Sequence, residues 1–189
     1  DFPTSPYVVS RADQRWFPAS EDLRTTRYEN LLPPLVAKIR EEVSAWRDSG
    51  YQGASATSKA LLHWWFLASH QVVQADGSLA SFEYYFAQRE SAETVIWLYD
   101  VRQARDKFDL MRFDASGAVS ASMFDEDWPR FVVKMATGAG KTKVLSLLIA
   151  WSYFHKTYEA DSSLARNFLL IAPNIIVLDR LRADFDGLK

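Results

Sequence analysis

The chain has 189 residues, of which 48% are apolar and 14% aromatic, so it can build a buried core and is too apolar for global disorder. It has no cysteine, which excludes disulfide scaffolds, thiolate nucleophiles and cysteine-based zinc sites. The net charge of −2 gives no sign of a nucleic-acid partner, although residues 131–189 carry eight Lys/Arg against five Asp/Glu. The longest mostly apolar run, residues 144–154, is too short to span a bilayer, and we expect a cytoplasmic protein with no membrane contact.

The first two thirds of the chain predict helices joined by loops. Residues 1–32 and 109–127 lack a sustained period and predict loops, and Asp76-Gly77 predicts a turn. Apolar residues recur at helical spacing in three segments, of which the third gives the longest signal in the chain. The predicted helices cover residues 33–50, 58–69 and 81–106.

The pattern changes after Trp128-Pro129. Residues 130–136 and 167–173 predict two buried strands, separated by a helix over residues 141–155. A further helix is predicted to follow the second strand. This order of strand, loop, helix, strand and helix predicts an α/β fold with a parallel sheet covered on both faces.

The loop between the first strand and its helix reads MATGAGKT, residues 135–142. Gly138 and Gly140 allow backbone N–H groups to turn inward and approach phosphates. Lys141 supplies a cation for the phosphates, and Thr142 supplies a hydroxyl for Mg²⁺. With a strand before it and a helix after it, this loop is predicted to bind nucleotide phosphates.

The strict form of this phosphate loop has glycine at the position of Met135. The form present here resembles motif I of superfamily-2 helicases and translocases, which accept another residue there. The segment LLIAPNIIVLDRL, residues 169–181, resembles motif Ia of the same superfamily. The segment YYFAQRESAETVIWL, residues 84–98, followed by the loop region, resembles the R (Res) subunit of type III restriction endonucleases and related superfamily-2 helicases. The resemblance is loose before residue 55 and close from about residue 82.

The resemblance implies an α-helical N-terminal extension over residues 1–79 and the start of a RecA-like ATPase domain over residues 80–189. It implies that Gln88 reads adenine through its side-chain amide, whereas outside this motif Gln88 would be an exposed helix glutamine. Tyr85 or Phe86 would pack on the base, although packing in the core is the better expectation for both. The residues implied to hold ATP are Gln88, Thr137, Gly138, Ala139, Gly140, Lys141 and Thr142, of which Lys141 and Thr142 act in catalysis and Thr142 holds Mg²⁺.

The same resemblance implies contacts with nucleic acid. Pro173 and Asn174 match positions near the sugar-phosphate backbone, and Arg180 is either a phosphate contact or an ordinary surface arginine. The implied partners are double-stranded DNA and a methyltransferase (modification) subunit.

Hydrolysis in this superfamily needs an Asp-Glu pair after a later strand, and no such pair follows residue 142. The acidic run at residues 125–127 precedes the loop and predicts a solvated segment. Both ends of the chain look cut, so we expect the N-terminal part of a DNA translocase that binds nucleotide without hydrolysing it alone. Two alternatives stay open: another superfamily-2 DNA or RNA helicase, and a non-catalytic adaptor with a vestigial loop.

Overall fold

The computed structural model describes residues 35–114, 117, 119–120, 132–171 and 175–186. The chain divides into two compact units, the first made of residues 1–53 and 94–132 and the second of residues 54–93 and 133–189. Within the described residues, no helix is long and apolar enough to cross a membrane.

The described elements are mostly helical. The helices predicted over residues 33–50, 58–69 and 141–155 are confirmed with small shifts of their ends, as is the helix near the end of the chain. In chain order the elements are α1 (Val36–Asp48), α2 (Ala56–Leu67), β1 (His70–Val73), β2 (Leu79–Phe82), α3 (Phe86–Ile96), a π-helical turn (Trp97–Val101), α4 (Lys107–Met111), α5 (Lys141–Tyr158) and α6 (Ile175–Asp186).

In the first unit, α1 buries an apolar face and ends at a glycine. Val43 is fully buried and Trp46 nearly so. The Trp46 indole N–H donates to the Gln52 carbonyl at 2.9 Å, and the Trp46 ring meets the edge of Tyr51 at 4.9 Å between centroids. Gly50 follows the helix with φ +70°, a left-handed conformation that glycine adopts without steric penalty. The helix end predicted at Gly50 is therefore confirmed.

The π-helical turn gives the first unit its second aromatic cluster. The Arg102 N–H donates to the Trp97 carbonyl at 2.9 Å, five residues back. The Arg102 guanidinium lies over the Trp97 ring at 5.3 Å and over the Phe113 ring at 5.4 Å, and it pairs with Glu42 at 3.5 Å. The helical segment ends at Val101, so the helix end predicted at residue 106 is wrong.

In the second unit, α2 packs against α5 through buried polar contacts as well as apolar ones. The Trp151 indole N–H donates to the Ser58 hydroxyl at 2.8 Å, and both residues are buried. The Glu159 carboxylate accepts the Thr57 backbone N–H at 2.8 Å, so the end of α5 satisfies one of the unpaired amides at the start of α2. The two helices are thus held in a defined register.

A β-hairpin follows α2 in the second unit. Strands β1 and β2 are antiparallel, with His70 opposite Phe82. The Asp76 carboxylate accepts the Ser78 N–H at 2.9 Å and the Ser78 hydroxyl at 2.6 Å, and these bonds hold the pKa of Asp76 below its usual value. Gly77 has φ +81°. The predicted turn is confirmed.

The helix predicted to begin at residue 81 is wrong at its start. The residues Leu79–Phe82 form β2, and α3 begins only at Phe86. Pairing with β1 satisfies the backbone groups of β2 and overrides a helical periodicity that is genuine only from residue 86 onward.

The predicted parallel sheet is not seen in the described part of the chain. The segments 132–136 and 167–171 carry no ladder of strand hydrogen bonds, and the described sheet is the antiparallel β1–β2 hairpin. Large apolar side chains in these segments lie exposed, such as Val132 at 79%, Leu169 at 85% and Ile171 at 83%. A strand exists only by pairing with another strand, and neither segment pairs with a neighbour among the described residues.

We predict that Trp151→Phe lowers the free energy of unfolding by about 1–3 kcal/mol, because it removes the indole N–H and leaves the buried Ser58 hydroxyl without that donor. The measurement is urea unfolding followed by far-UV circular dichroism. Trp64→Phe is the matched control, since Trp64 is 61% exposed on the same unit. Equal unfolding midpoints for the two variants would contradict the role of this bond.

Candidate functional site

The glycine-rich loop forms a tight turn that leads into α5. Gly138 has φ +82° and Gly140 has φ +78°, both in the left-handed region that favours glycine. The Ala139 N–H donates to the Ala136 carbonyl at 3.3 Å and closes the turn. Met135 is not among the described residues with positive φ, so its position makes no demand for glycine. The departure from the strict loop pattern is therefore compatible with this backbone.

The N-terminus of α5 is unusual in its charge. Its N-cap is Gly140, which provides no side-chain cap, and its first turn has no acidic residue. The first turn instead carries Lys141 and Lys143. A cation at the positive end of a helix dipole is unfavourable by roughly 0.3–1 kcal/mol when exposed, and the uncapped amides add partial positive charge. This end of the helix is therefore arranged to attract an anion.

Lys141 folds back over the loop. Its ammonium donates to the Ala136 carbonyl at 2.8 Å, and the side chain is exposed. An ammonium has three N–H donors, so this bond uses one of them and leaves the charge beside the loop. Thr142 is half-buried in the first turn of α5, and Thr137 is exposed at the top of the turn. The predicted loop residues thus surround one surface at the start of α5.

Gln88, predicted from the sequence motif, contacts this same loop. It is 6% exposed, so the reading of Gln88 as an ordinary exposed helix glutamine is wrong. Its side-chain amide nitrogen donates to the Ala139 carbonyl at 3.1 Å. Its side-chain oxygen accepts the Tyr85 N–H at 3.0 Å, at the start of α3. A β-carbon on Gly140 would overlap the Gln88 amide nitrogen and lie 3.3 Å from its amide carbon.

The aromatic residues before Gln88 differ in exposure. Tyr85 is 49% exposed, so the expectation that it packs in the core is wrong, whereas Phe86 is half-buried. About half of the Tyr85 surface is therefore accessible to solvent, three residues before the glutamine.

A cavity of about 220 Å³ lies beside Arg89, between the end of α2 and the β1–β2 hairpin. The Arg89 guanidinium pairs with the fully buried Glu93 carboxylate at 2.7 Å and lies 5.4 Å from the Phe66 ring centroid. Burial raises the pKa of the Tyr84 hydroxyl, which lines the same cavity. The cavity is polar and aromatic, and its arginine is fixed in position by an ion pair.

Three charged residues of the second unit escape the sequence motifs. The Lys143 ammonium lies 5.9 Å from the Phe82 ring centroid, which brings a second cation to the start of α5. Arg89 and Glu93 carried a signal in their i, i+4 spacing of opposite charges. Nothing in the sequence indicated that Glu93 is buried. The resemblance implied one ATP site for Gln88 and the loop, but no direct contact between them.

The residues predicted to contact nucleic acid are not placed by the structure. Pro173 and Asn174 lie outside the described residues, as does the acidic run at 125–127. Arg180 lies on α6, but its side chain is not among those that the structure describes. No group of three or more potential metal ligands occurs in the described part of the chain.

Comparison with known families identifies the family of this chain. The family model for the type III restriction enzyme, res subunit, matches residues 81–189, which is more than half of the chain. The chain belongs to this family. The match includes Gln88, the glycine-rich loop and α6, and the family implies a P-loop helicase-like fold for this region. No curated protein and no solved structure matches the chain.

Proposed function

We propose that this Res-family chain is the ATP-binding, N-terminal part of an ATP-dependent DNA translocase or helicase. In this proposal it belongs to the restriction subunit of a type III restriction-modification system. The observation that carries the proposal is the start of α5, where a glycine N-cap, uncapped amides and two lysines meet without an acidic residue. Such a helix end is stabilised by an anion, and a triphosphate carries enough charge to match it.

The residues of the loop have separate tasks in this proposal. Gly138 and Gly140 let the backbone turn so that its N–H groups face the phosphates. Lys141 would exchange its bond to the Ala136 carbonyl for phosphate oxygens, a charge-assisted contact stronger than the bond it replaces. Nucleotide binding is thus coupled to a change of partner for one lysine.

The loop also fits a magnesium ion. Mg²⁺ usually keeps several waters and binds through one or two protein groups plus substrate phosphates, so a cluster of protein ligands is not required. We assign the single protein hydroxyl to Thr142, in the first turn of α5. Bound there with the nucleotide, Mg²⁺ would neutralise charge on the phosphates.

Gln88 is proposed to read the base. A glutamine amide has two N–H groups and two oxygen lone pairs, and the bonds to Ala139 and Tyr85 use one of each. One donor and one acceptor are left for adenine N7 and its exocyclic amine. Guanine presents an acceptor where adenine presents that amine, so the same edge of the amide would discriminate against it.

Contacts with DNA are proposed for Pro173, Asn174 and Arg180, which match motif Ia. A methyltransferase subunit is proposed as the protein partner, since the family acts in restriction systems. Hydrolysis of ATP is assigned to the intact protein.

We predict that Lys141→Ala weakens ATP binding by about 10- to 100-fold, because one charge-assisted hydrogen bond to phosphate contributes roughly 1.5–3 kcal/mol. The measurement is isothermal titration of the intact protein with ATP and Mg²⁺. Lys59→Ala is the matched control, as it removes the same charge from α2 in the same unit. Wild-type ATP affinity in Lys141→Ala would contradict the proposal that this loop binds the phosphates.

We predict that Gln88→Ala reduces the preference for ATP over GTP by about 10-fold or more, because the amide that distinguishes the two bases is lost. The measurement is the ratio of the two dissociation constants for each protein. Gln71→Ala, on the exposed face of β1, serves as the control substitution. If the ratio stays at its wild-type value in Gln88→Ala, the base-reading role is wrong.

We predict that double-stranded DNA stimulates ATP hydrolysis by the intact protein more than RNA of equal length. A DNA translocase hydrolyses ATP productively only when the nucleic acid along which it moves is bound. The hydrolysis rate at saturating ATP therefore reports which polymer the protein uses. Stimulation by RNA alone would favour the alternative of an RNA helicase. Absence of hydrolysis with either polymer, together with intact ATP binding, would favour a non-catalytic adaptor.

A further inference from the structure

We propose that Gln88 is a positioning residue for the phosphate loop, acting on the last peptide of the turn whichever base is bound. The inference rests on the proposed function, because it concerns the same site. It assigns the glutamine a second task, which is to fix the loop that receives the phosphates.

The evidence is the enclosure of the Gln88 side chain. It is 6% exposed, and its two hydrogen bonds connect the Tyr85 N–H at the start of α3 to the Ala139 carbonyl in the loop. Gln88 and Ala139 are 51 residues apart in sequence. A single amide therefore ties the turn to a helix that is remote in the chain.

The bond to Ala139 acts on the peptide that joins Ala139 to Gly140. Holding that carbonyl fixes the orientation of the peptide plane, and hence the direction in which the Gly140 N–H points. Gly140 is the N-cap of α5, so its N–H lies next to the first amides of the helix, where the proposed phosphate site is. The amide of Gln88 thereby orients the Gly140 N–H, which would donate to a phosphate.

Glycine at position 140 is required for two separate reasons. Its φ of +78° is strained for any other residue. A β-carbon there would also displace the Gln88 amide nitrogen, which occupies that space. Gly138 provides the comparison. It has a similar φ of +82°, and among the described residues no atom beyond its chain neighbours lies within 4 Å of its β-carbon position.

The first experiment separates loop positioning from base reading by using a ligand without a base. Binding of inorganic tripolyphosphate with Mg²⁺ is measured on the intact protein and on Gln88→Ala, Gln88→Met and Gln71→Ala. We expect about a 5- to 30-fold loss of tripolyphosphate affinity in both Gln88 variants, the size of one or two buried hydrogen bonds, and none in Gln71→Ala. Gln88→Met keeps the side-chain volume, so it distinguishes lost hydrogen bonds from lost packing.

The second experiment tests the contact with Gly140 directly. Gly140→Ala and Gly138→Ala are each made in the wild-type and in the Gln88→Ala background. We expect Gly140→Ala to weaken tripolyphosphate binding at least about 3-fold less in the Gln88→Ala background, since the displaced amide is already gone. The effect of Gly138→Ala should be the same in both backgrounds.

Each outcome is decisive. Unchanged tripolyphosphate affinity in Gln88→Ala, or wild-type affinity in Gln88→Met, overturns the inference while leaving ATP binding in place. Equal effects of Gly140→Ala in both backgrounds overturn it as well. If the wild-type protein binds neither ATP nor tripolyphosphate, the proposed function itself is wrong.

Discussion

The approach of the Gln88 amide to the backbone of Ala139 and Gly140 is the contact on which the site depends. It is a buried polar contact, and a buried amide that lacks its hydrogen bonds is costly, by roughly 1–3 kcal/mol. Displacing the glutamine therefore leaves the loop carbonyl and the Tyr85 N–H without this partner. A β-carbon at position 140 would displace the Gln88 amide from this contact. One amide thus links the start of α3, the conformation of the turn and the first amides of α5.

The positive charge at the start of α5 opposes the helix dipole, and this is the second constraint on the site. Natural helices favour acidic residues in the first turn, and this helix has two lysines there instead. An arrangement that opposes local stability in this way is typical of functional sites, where a ligand provides the compensation. Because Gln88 is neutral, it can be buried against this positive helix end without adding or cancelling charge. The loop is consequently held by a hydrogen bond, and its charge stays available to an anion.

Local signals in the sequence were sufficient for the helices predicted over residues 33–50, 58–69 and 141–155 and for the turn of the hairpin, but not for the bounds of the helix predicted over residues 81–106. The apolar spacing and the closing Gly50 predicted α1, and Asp76-Gly77 predicted the turn between β1 and β2. The loop and its glycines were predicted from their spacing together with an expected strand before them and a helix after them, of which the described residues show the helix. The contact of Gln88 with Ala139 was not predictable from periodicity, because 51 residues separate the two in sequence and neither residue reveals its neighbour. The family resemblance indicated that Gln88 matters, and only the structure shows that it is buried against the turn.

The predicted strands show what a local sequence pattern cannot predict. A helix satisfies its backbone within its own segment, so a local pattern is often enough to predict it. A strand needs a partner, and an apolar run such as 167–171 states only that its side chains favour burial. The glycine-rich loop lies between these cases. Its turn is local and is closed by the Ala136 carbonyl, yet the direction of its last peptide is set by a residue from another element. The geometry of such a loop therefore depends on packing between elements, even where its sequence motif is complete.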